Sequence, residues 1–325
     1  MFGVTVFPPG NGRQAIALAR RAEDLGFGTF WVPDSHMIWG DAWVLLGAIA
    51  AATERIALGP CVTHPIVRHL SVTASALATL AETAPGRVRM GMGVGSSGPA
   101  TVGMRRVGAR DLEGALTTVR QLVAGEAVEL DGRRMQLTFT AGQQVPMYVG
   151  ALSDHSLRAA GRCADGAIFS GPLDALAYCR ATLDDGAREA GRSGAELPIV
   201  WIVPTAIDAD RERARDAVRP IVARTALVWL SRAARLGTIA DEDREPLKRL
   251  QREYDPYKHM TGAYSHLVQE RWLDQWSLAG TAADVAEGCR RAFDGGAAEI
   301  IVNLQLPDAA EQLERFGEVL TSFRR

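Results

Sequence analysis

The sequence predicts an α/β fold, a TIM (β/α)8 barrel with an insertion between strands seven and eight. Three observations point there. Short apolar, β-rich runs alternate with amphipathic helical stretches along most of the 325 residues, the pattern of parallel strands joined by helical crossovers. Eight such runs can be read, each followed by a helix, which suits a closed barrel. The first run ends in Phe7-Pro8-Pro9-Gly10, without the G-x-G-x-x-G turn that an open doubly wound sheet would be expected to place there.

The first strand is read from Phe2 to Phe7. A helix follows from about Gly12 to Leu25, with Ala15, Ile16, Ala19, Ala22 and Leu25 on one face and Gly26 as its stop. Thr29–Val32 is the second strand and Asp41–Ala52 the next helix. Ile56–Val62 and Leu70–Glu82 form the third pair. Val88–Val94 is the fourth strand; it runs into a Gly/Ser-rich loop before a helix over Asp111–Ala124. Glu129 to Met135 reads as a small hairpin around Asp131-Gly132. Pro146–Gly150, Ala167–Ser170, Ile199–Val203 and Glu299–Asn303 supply the other four strands. Their helices are expected at about Ser153–Cys163, Leu173–Ala190, Arg211–Ala234 and Pro307–Phe323. Leu236–Trp276 breaks the alternation: it is polar, charged and rich in aromatics, and is expected to be either a lid or a packing or dimer element. A single domain over residues 1–325, with an insertion over about 236–276, is the expected organisation.

Composition narrows the function classes. The chain is 47% hydrophobic and 23% charged, with a net charge of −2, so no nucleic-acid or acidic-membrane partner is expected. Cys61, Cys163, Cys179 and Cys289 stand apart with no C-x-x-C pair, which argues for reduced thiols in a cytoplasmic protein. The N-terminus lacks a signal-peptide pattern, and no run approaches the ~20 apolar residues of a membrane span.

A barrel does its chemistry in the loops after its strands. Strand two leads into Asp34, His36 and Trp39; strand three into Cys61, Val62, His64 and His69; strand four into Gly93-Val94-Gly95-Ser96-Ser97-Gly98. Glycines there allow close approach of a large planar ligand, and exposed amides can bind oxyanions. Gly150-Ala151-Leu152-Ser153 enters a helix directly, so Ser153 is either an ordinary cap or part of a phosphate site. Ser170-Gly171 ends strand six. The spacing of His36, His64 and His69 matches no compact zinc motif, and no metal is expected. No G-x-S-x-G elbow is present, and Cys61 is left open as a lone nucleophile that nothing obvious activates.

Several segments resemble the luciferase-like flavin-dependent oxidoreductases: Trp31-Val-Pro-Asp34-Ser-His36, Leu58-Gly-Pro-Cys61-Val62-Thr-His-Pro65-Ile-Val-Arg68-His69, and Gly86 through Gly95. Tyr148-Val-Gly150-Ala, Ala160-Gly161-Arg-Cys-Ala164-Asp165-Gly166 and Leu278-Ala-Gly280-Thr281 are similar to its later motifs. Within that superfamily the chain is most similar to the F420-dependent branch typified by methylenetetrahydromethanopterin reductase. The resemblance implies hydride transfer between F420 and a small-molecule substrate in a homodimer. It also implies a non-prolyl cis peptide at Cys61-Val62 backing the cofactor ring, with Asp34, Gly93, Gly95 and Ser96 beside it. Gly150, Ala151, Ser153, Ser170 and Gly171 would surround its phosphate, and Asp34, His36, Trp39 or His64 would position substrate or move a proton. Two departures stand out. Ser35 occupies the place of a His that F420-dependent sugar-phosphate dehydrogenases carry directly after the Asp, and Ser96 replaces their carboxylate after the Gly-x-Gly turn, which weighs against sugar-phosphate oxidation. The alternatives are an FMN-dependent monooxygenase supplied by a separate reductase, and a non-catalytic ligand-binding barrel.

Overall fold

The structure is a computed structural model that describes residues 1–6, 11–140, 142–258, 261–304 and 306–323; residue 7, the end of the first predicted strand, and residues 8–10 lie outside them. Eight parallel strands form the barrel: β1 Phe2–Thr5, β2 Thr29–Val32, β3 Ala57–Pro60, β4 Met90–Gly93, β5 Met147–Ala151, β6 Gly166–Phe169, β7 Ile199–Ile207 and β8 Ala297–Asn303. The hydrogen-bonded order β3-β2-β1-β8-β7-β6-β5-β4 is that of a TIM barrel, as the alternation predicted. Helices cover its outside, and the main core lies between their apolar stripes and the outward strand residues.

Among the described residues, closure between β3 and β4 is made by two bridges, Leu58 to Val88 and Thr63 to Met92. Between them β3 takes five steps where β4 takes four, so the third strand carries one extra residue and bulges. The bulge falls on Cys61 and Val62, whose peptide bond is cis. This is why β3 stops at Pro60 instead of reaching Val62.

Strand alternation sends one side chain inward and the next outward to the helices. Trp31, Tyr148, Ile168, Val200 and Ile301 fill the barrel interior. Glu299 is buried among them; it accepts from Trp31 Nε1 at 3.0 Å and pairs with Arg89 at 3.0 Å. Removing one partner of a buried pair leaves the other charge uncompensated, so Glu299→Ala is expected to cost about 3 kcal/mol. Urea denaturation should show a lower midpoint with an unchanged slope.

Leu278–Gly280 and the helix Ala282–Asp294 were not expected as elements. The short strand pairs with Thr205, Ala206 and Ile207, which prolongs β7 past the predicted end at Val203. The long helix Arg211–Leu236 then runs back along the barrel and receives the inserted segment. Leu247, Leu250, Leu267, Trp272 and Trp276 pack against its Val218, Val222 and Ala226 in a second core. Among the described residues no helix is long and apolar enough to cross a membrane.

Candidate active site

The carboxyl ends of the strands open into a cavity of about 310 Å³, within the ~300–1,000 Å³ typical of small-molecule sites. Its back wall is made by the β3 bulge. Val62 turns its branched side chain into a recess where two strands lack side chains: a methyl group at Gly91, Gly93 or Gly150 would lie 2.9, 2.9 or 3.1 Å from Val62 carbons. Gly91 and Gly93 belong to β4 and Gly150 to β5, so the recess is a product of strand register. Gly93 and Gly150 thus serve the wall first: their bareness seats Val62, which lines the cavity. Gly95 takes φ +87°, a conformation that favours glycine, and turns the chain over Ile66 and Pro99.

Above this wall, Asp34 is buried and accepts from Thr63 Oγ1 at 2.7 Å. His64, next in the chain, is 5% exposed, and neither ring nitrogen has a hydrogen-bond partner among the described residues. Two unpaired ring nitrogens in a buried polar site are costly unless a ligand or water meets them. Burial lowers the His64 pKa; Asp34 opposes that, while His36 and Arg68 add to it. Trp39 is buried and lines the same cavity. A second cavity of about 180 Å³ shares Asp34 and His64 with the first and adds His36, Asp41, Val67 and Arg68.

At the other end, Ser153 caps the helix Asp154–Cys163 and lines the cavity with Ser156. The Ser156 hydroxyl receives the amides of Leu152 and Ser153, and Ser153 Oγ receives the Ser156 amide. Ser153 is thus an ordinary cap, at a helix start that lines the cleft. Arg232 reaches across from the helix Arg211–Leu236 to pair with Asp154. The turn after β6 is held by two indoles, Trp229 donating to the Ser170 carbonyl and Trp201 to that of Gly171.

The model of the luciferase-like monooxygenase family matches residues 3–299 of this chain. The chain belongs to the luciferase-like monooxygenase family. It is 28% identical to the 5,10-methylenetetrahydromethanopterin reductase of Methanopyrus kandleri, over 99% of this chain and 98% of that protein. It is 33% identical to the F420-dependent glucose-6-phosphate dehydrogenase of Beutenbergia cavernae, over 64% of this chain and 68% of that one. The solved coenzyme F420 dependent tetrahydromethanopterin reductase from Methanopyrus kandleri superposes with a TM-score of 0.84 at 23% identity, over 100% of this chain and 99% of that one, a likeness of fold.

This luciferase-like barrel gathers Asp34, Trp39, Cys61, Val62, His64, Gly93, Gly95, Ser96, Gly150, Ser153 and Ser170 around one cavity. His36 faces the second cavity instead. Ala151 follows the inward Gly150 and so points outward into the main core. Gly171 lies under Trp229, whose ring a methyl group there would meet at 2.3 Å. Burial pushes the Cys61 thiol up to about 12, so it stays protonated at neutral pH and is a poor nucleophile. Among the described residues no three His, Cys, Asp or Glu side chains gather as for a metal ion, and His69 instead caps the helix Leu70–Thr83. The inserted segment contributes no cavity-lining residue among those described; its Tyr257 donates to the Thr101 carbonyl and braces the loop after β4.

Sequence reasoning missed Thr63, Ser156 and the inner face of the helix Arg211–Leu236. That face carries Ile221, Arg224, Thr225, Val228, Arg232 and Arg235 into the lining at helical spacing. An arginine-rich stripe ordinarily reads as solvated, which is why it was not singled out.

The lowered His64 pKa has a consequence for stability. The unfolded chain takes up this proton near pH 6.5, whereas the fold resists it, so stability is lost as pH falls below about 6.5. Replacing His64 by Asn is expected to flatten the fall in unfolding free energy between about pH 7 and 5. An unchanged slope would show that other groups govern the acid side.

Proposed function

We propose that this protein is an F420-dependent oxidoreductase that exchanges a hydride between the deazaflavin and a small organic substrate in the cleft. The single observation that carries the reading is the wall at the strand mouths, where the Cys61–Val62 bulge is seated in the recess of Gly91, Gly93 and Gly150. The relatives named above supply the cofactor's identity. When bound, F420 supplies a two-electron hydride carrier. The residues fit such a group: an apolar wall at Val62 for a ring, and a capped helix start with Arg232 nearby for a phosphate.

In this reading Val62 backs the ring, while Ser153, Ser170 and Arg232 hold the phosphate end. Trp39 closes the opposite side of the cavity and helps to exclude water. Asp34, oriented by the Thr63 hydroxyl, fixes the substrate. His64 holds or moves the proton that accompanies hydride transfer, since its neutral imidazole is buried with both nitrogens unpaired at the cavity. The same reading makes the protein a cytoplasmic homodimer.

Titration of the purified protein with F420 and with FMN tests the assignment. Saturable F420 binding with negligible FMN binding is the expected result. The reverse would establish the FMN-dependent monooxygenase, and F420 binding without hydride exchange in a broad substrate screen would leave a ligand-binding barrel.

A further inference from the structure

The chain carries a net charge of −2, yet its cleft is cationic. Arg106, Arg224, Arg232 and Arg235 line it, and Asp34 is the one carboxylate among its described lining residues. Arg232 is accounted for by Asp154 and stands at the phosphate end beside Ser153. Arg224 is not accounted for. Every other half-buried arginine among the described residues donates to a carboxylate or carbonyl, as Arg68 does to Asp41 and Arg89 to Glu299. Arg224 has no hydrogen-bond acceptor or ion-pair partner there.

A guanidinium withdrawn from water without an acceptor loses hydration that nothing returns, so such a group is expected to meet an anion when the site is filled. Its position indicates which anion. Arg224 lies eight residues before Arg232 on one helix, about 12 Å along the axis at ~1.5 Å per residue. It therefore stands well away from the Ser153 and Arg232 end, and its charge is felt by the Cys61 thiol at the barrel wall. Its neighbours on the same helix face, Ile221 and Val228, are apolar and also line the cavity.

We infer that Arg224 is a substrate-recognition residue that holds a carboxylate or phosphate of the substrate at the ring end of the cleft, separate from the anchor of the cofactor's own phosphate. The inference rests on the F420 reading for the meaning of the two ends. The substrate class is thus a small organic anion with an apolar part lying along Ile221 and Val228. Because Ser96 stands where the sugar-phosphate dehydrogenases carry a carboxylate, this anion site does not by itself make the substrate a sugar phosphate.

Inorganic phosphate serves as the probe, titrated into the F420-loaded protein and into the cofactor-free protein by calorimetry. Wild type is expected to bind phosphate saturably, and Arg224→Gln to weaken it about tenfold or more, with Arg224→Lys intermediate. F420 affinity should change by less than about threefold in Arg224→Gln, which also reports that the variant is folded. Equal phosphate binding by wild type and Arg224→Gln would overturn the inference, as would the absence of saturable binding to wild type. A parallel fall in F420 affinity would also overturn it, since the anion would then belong to the cofactor's own tail. Failure of F420 to bind wild type strikes the cofactor reading alone, because the cofactor-free titration still reads Arg224.

Discussion

Gly93→Val is expected to abolish tight cofactor binding while leaving a folded barrel. A Cβ at this position would sit 2.9 Å from a Val62 methyl, and Val62 is already enclosed by Gly91 and Gly150. The valine cannot retreat into the recess, so the bulge must move toward the cavity and the wall is lost. Overpacking of this kind costs about 1–3 kcal/mol of stability. The cost to F420 binding is expected to be larger in proportion, a hundredfold or more, about 2.7 kcal/mol. Thermal melts and an F420 titration on the same preparation separate the two effects. A variant that melts lower but binds F420 as wild type does would show that Val62 is only a core residue.

Gly59→Ala is expected to have the largest effect on the fold itself. A methyl group there would lie 1.8 Å from the carbonyl oxygen of Arg89, across the seam where β3 meets β4. That oxygen is backbone and cannot swing aside as a side chain can. The seam is held by two bridges, so it has little else to keep it closed. A loss of at least about 3 kcal/mol is expected, at the severe end for a single substitution. It should appear as a large drop in the urea midpoint or as failure to accumulate folded protein. A variant of unchanged midpoint would mean that the barrel is not closed at this seam.

The barrel was legible because its strands are short apolar runs punctuated by turns, and its helices end at recognisable stops such as Gly26. Leu278–Gly280 was harder. Three residues carry little periodicity, and they become a strand only because β7 overruns Val203 to meet them. The helix Ala282–Asp294 was lost in the same stretch, between a polar insertion and the last strand. At the site, chain order brought these residues to one cavity: Asp34 and His64 follow strand ends, and Gly93 and Gly150 stand at the carboxyl ends of β4 and β5. What the glycines do was not readable. Their partner is a valine in the bulge just past β3, and register across β3, β4 and β5 brings the four residues together. Arg224 was hidden for a related reason: only the path of the helix Arg211–Leu236 across the cleft distinguishes it from the solvated arginines nearby.

In the F420 complex the cofactor ring is expected to lie against the bulge at the strand mouths. A crystal structure of the protein with F420 tests this most directly. The deazaflavin should rest on Cys61 and Val62, with its phosphate at Ser153 and His64 within hydrogen-bonding reach of the ligand or of a water beside it. Density for the ring elsewhere, or side chains filling the Val62 cavity in the complex, would contradict it.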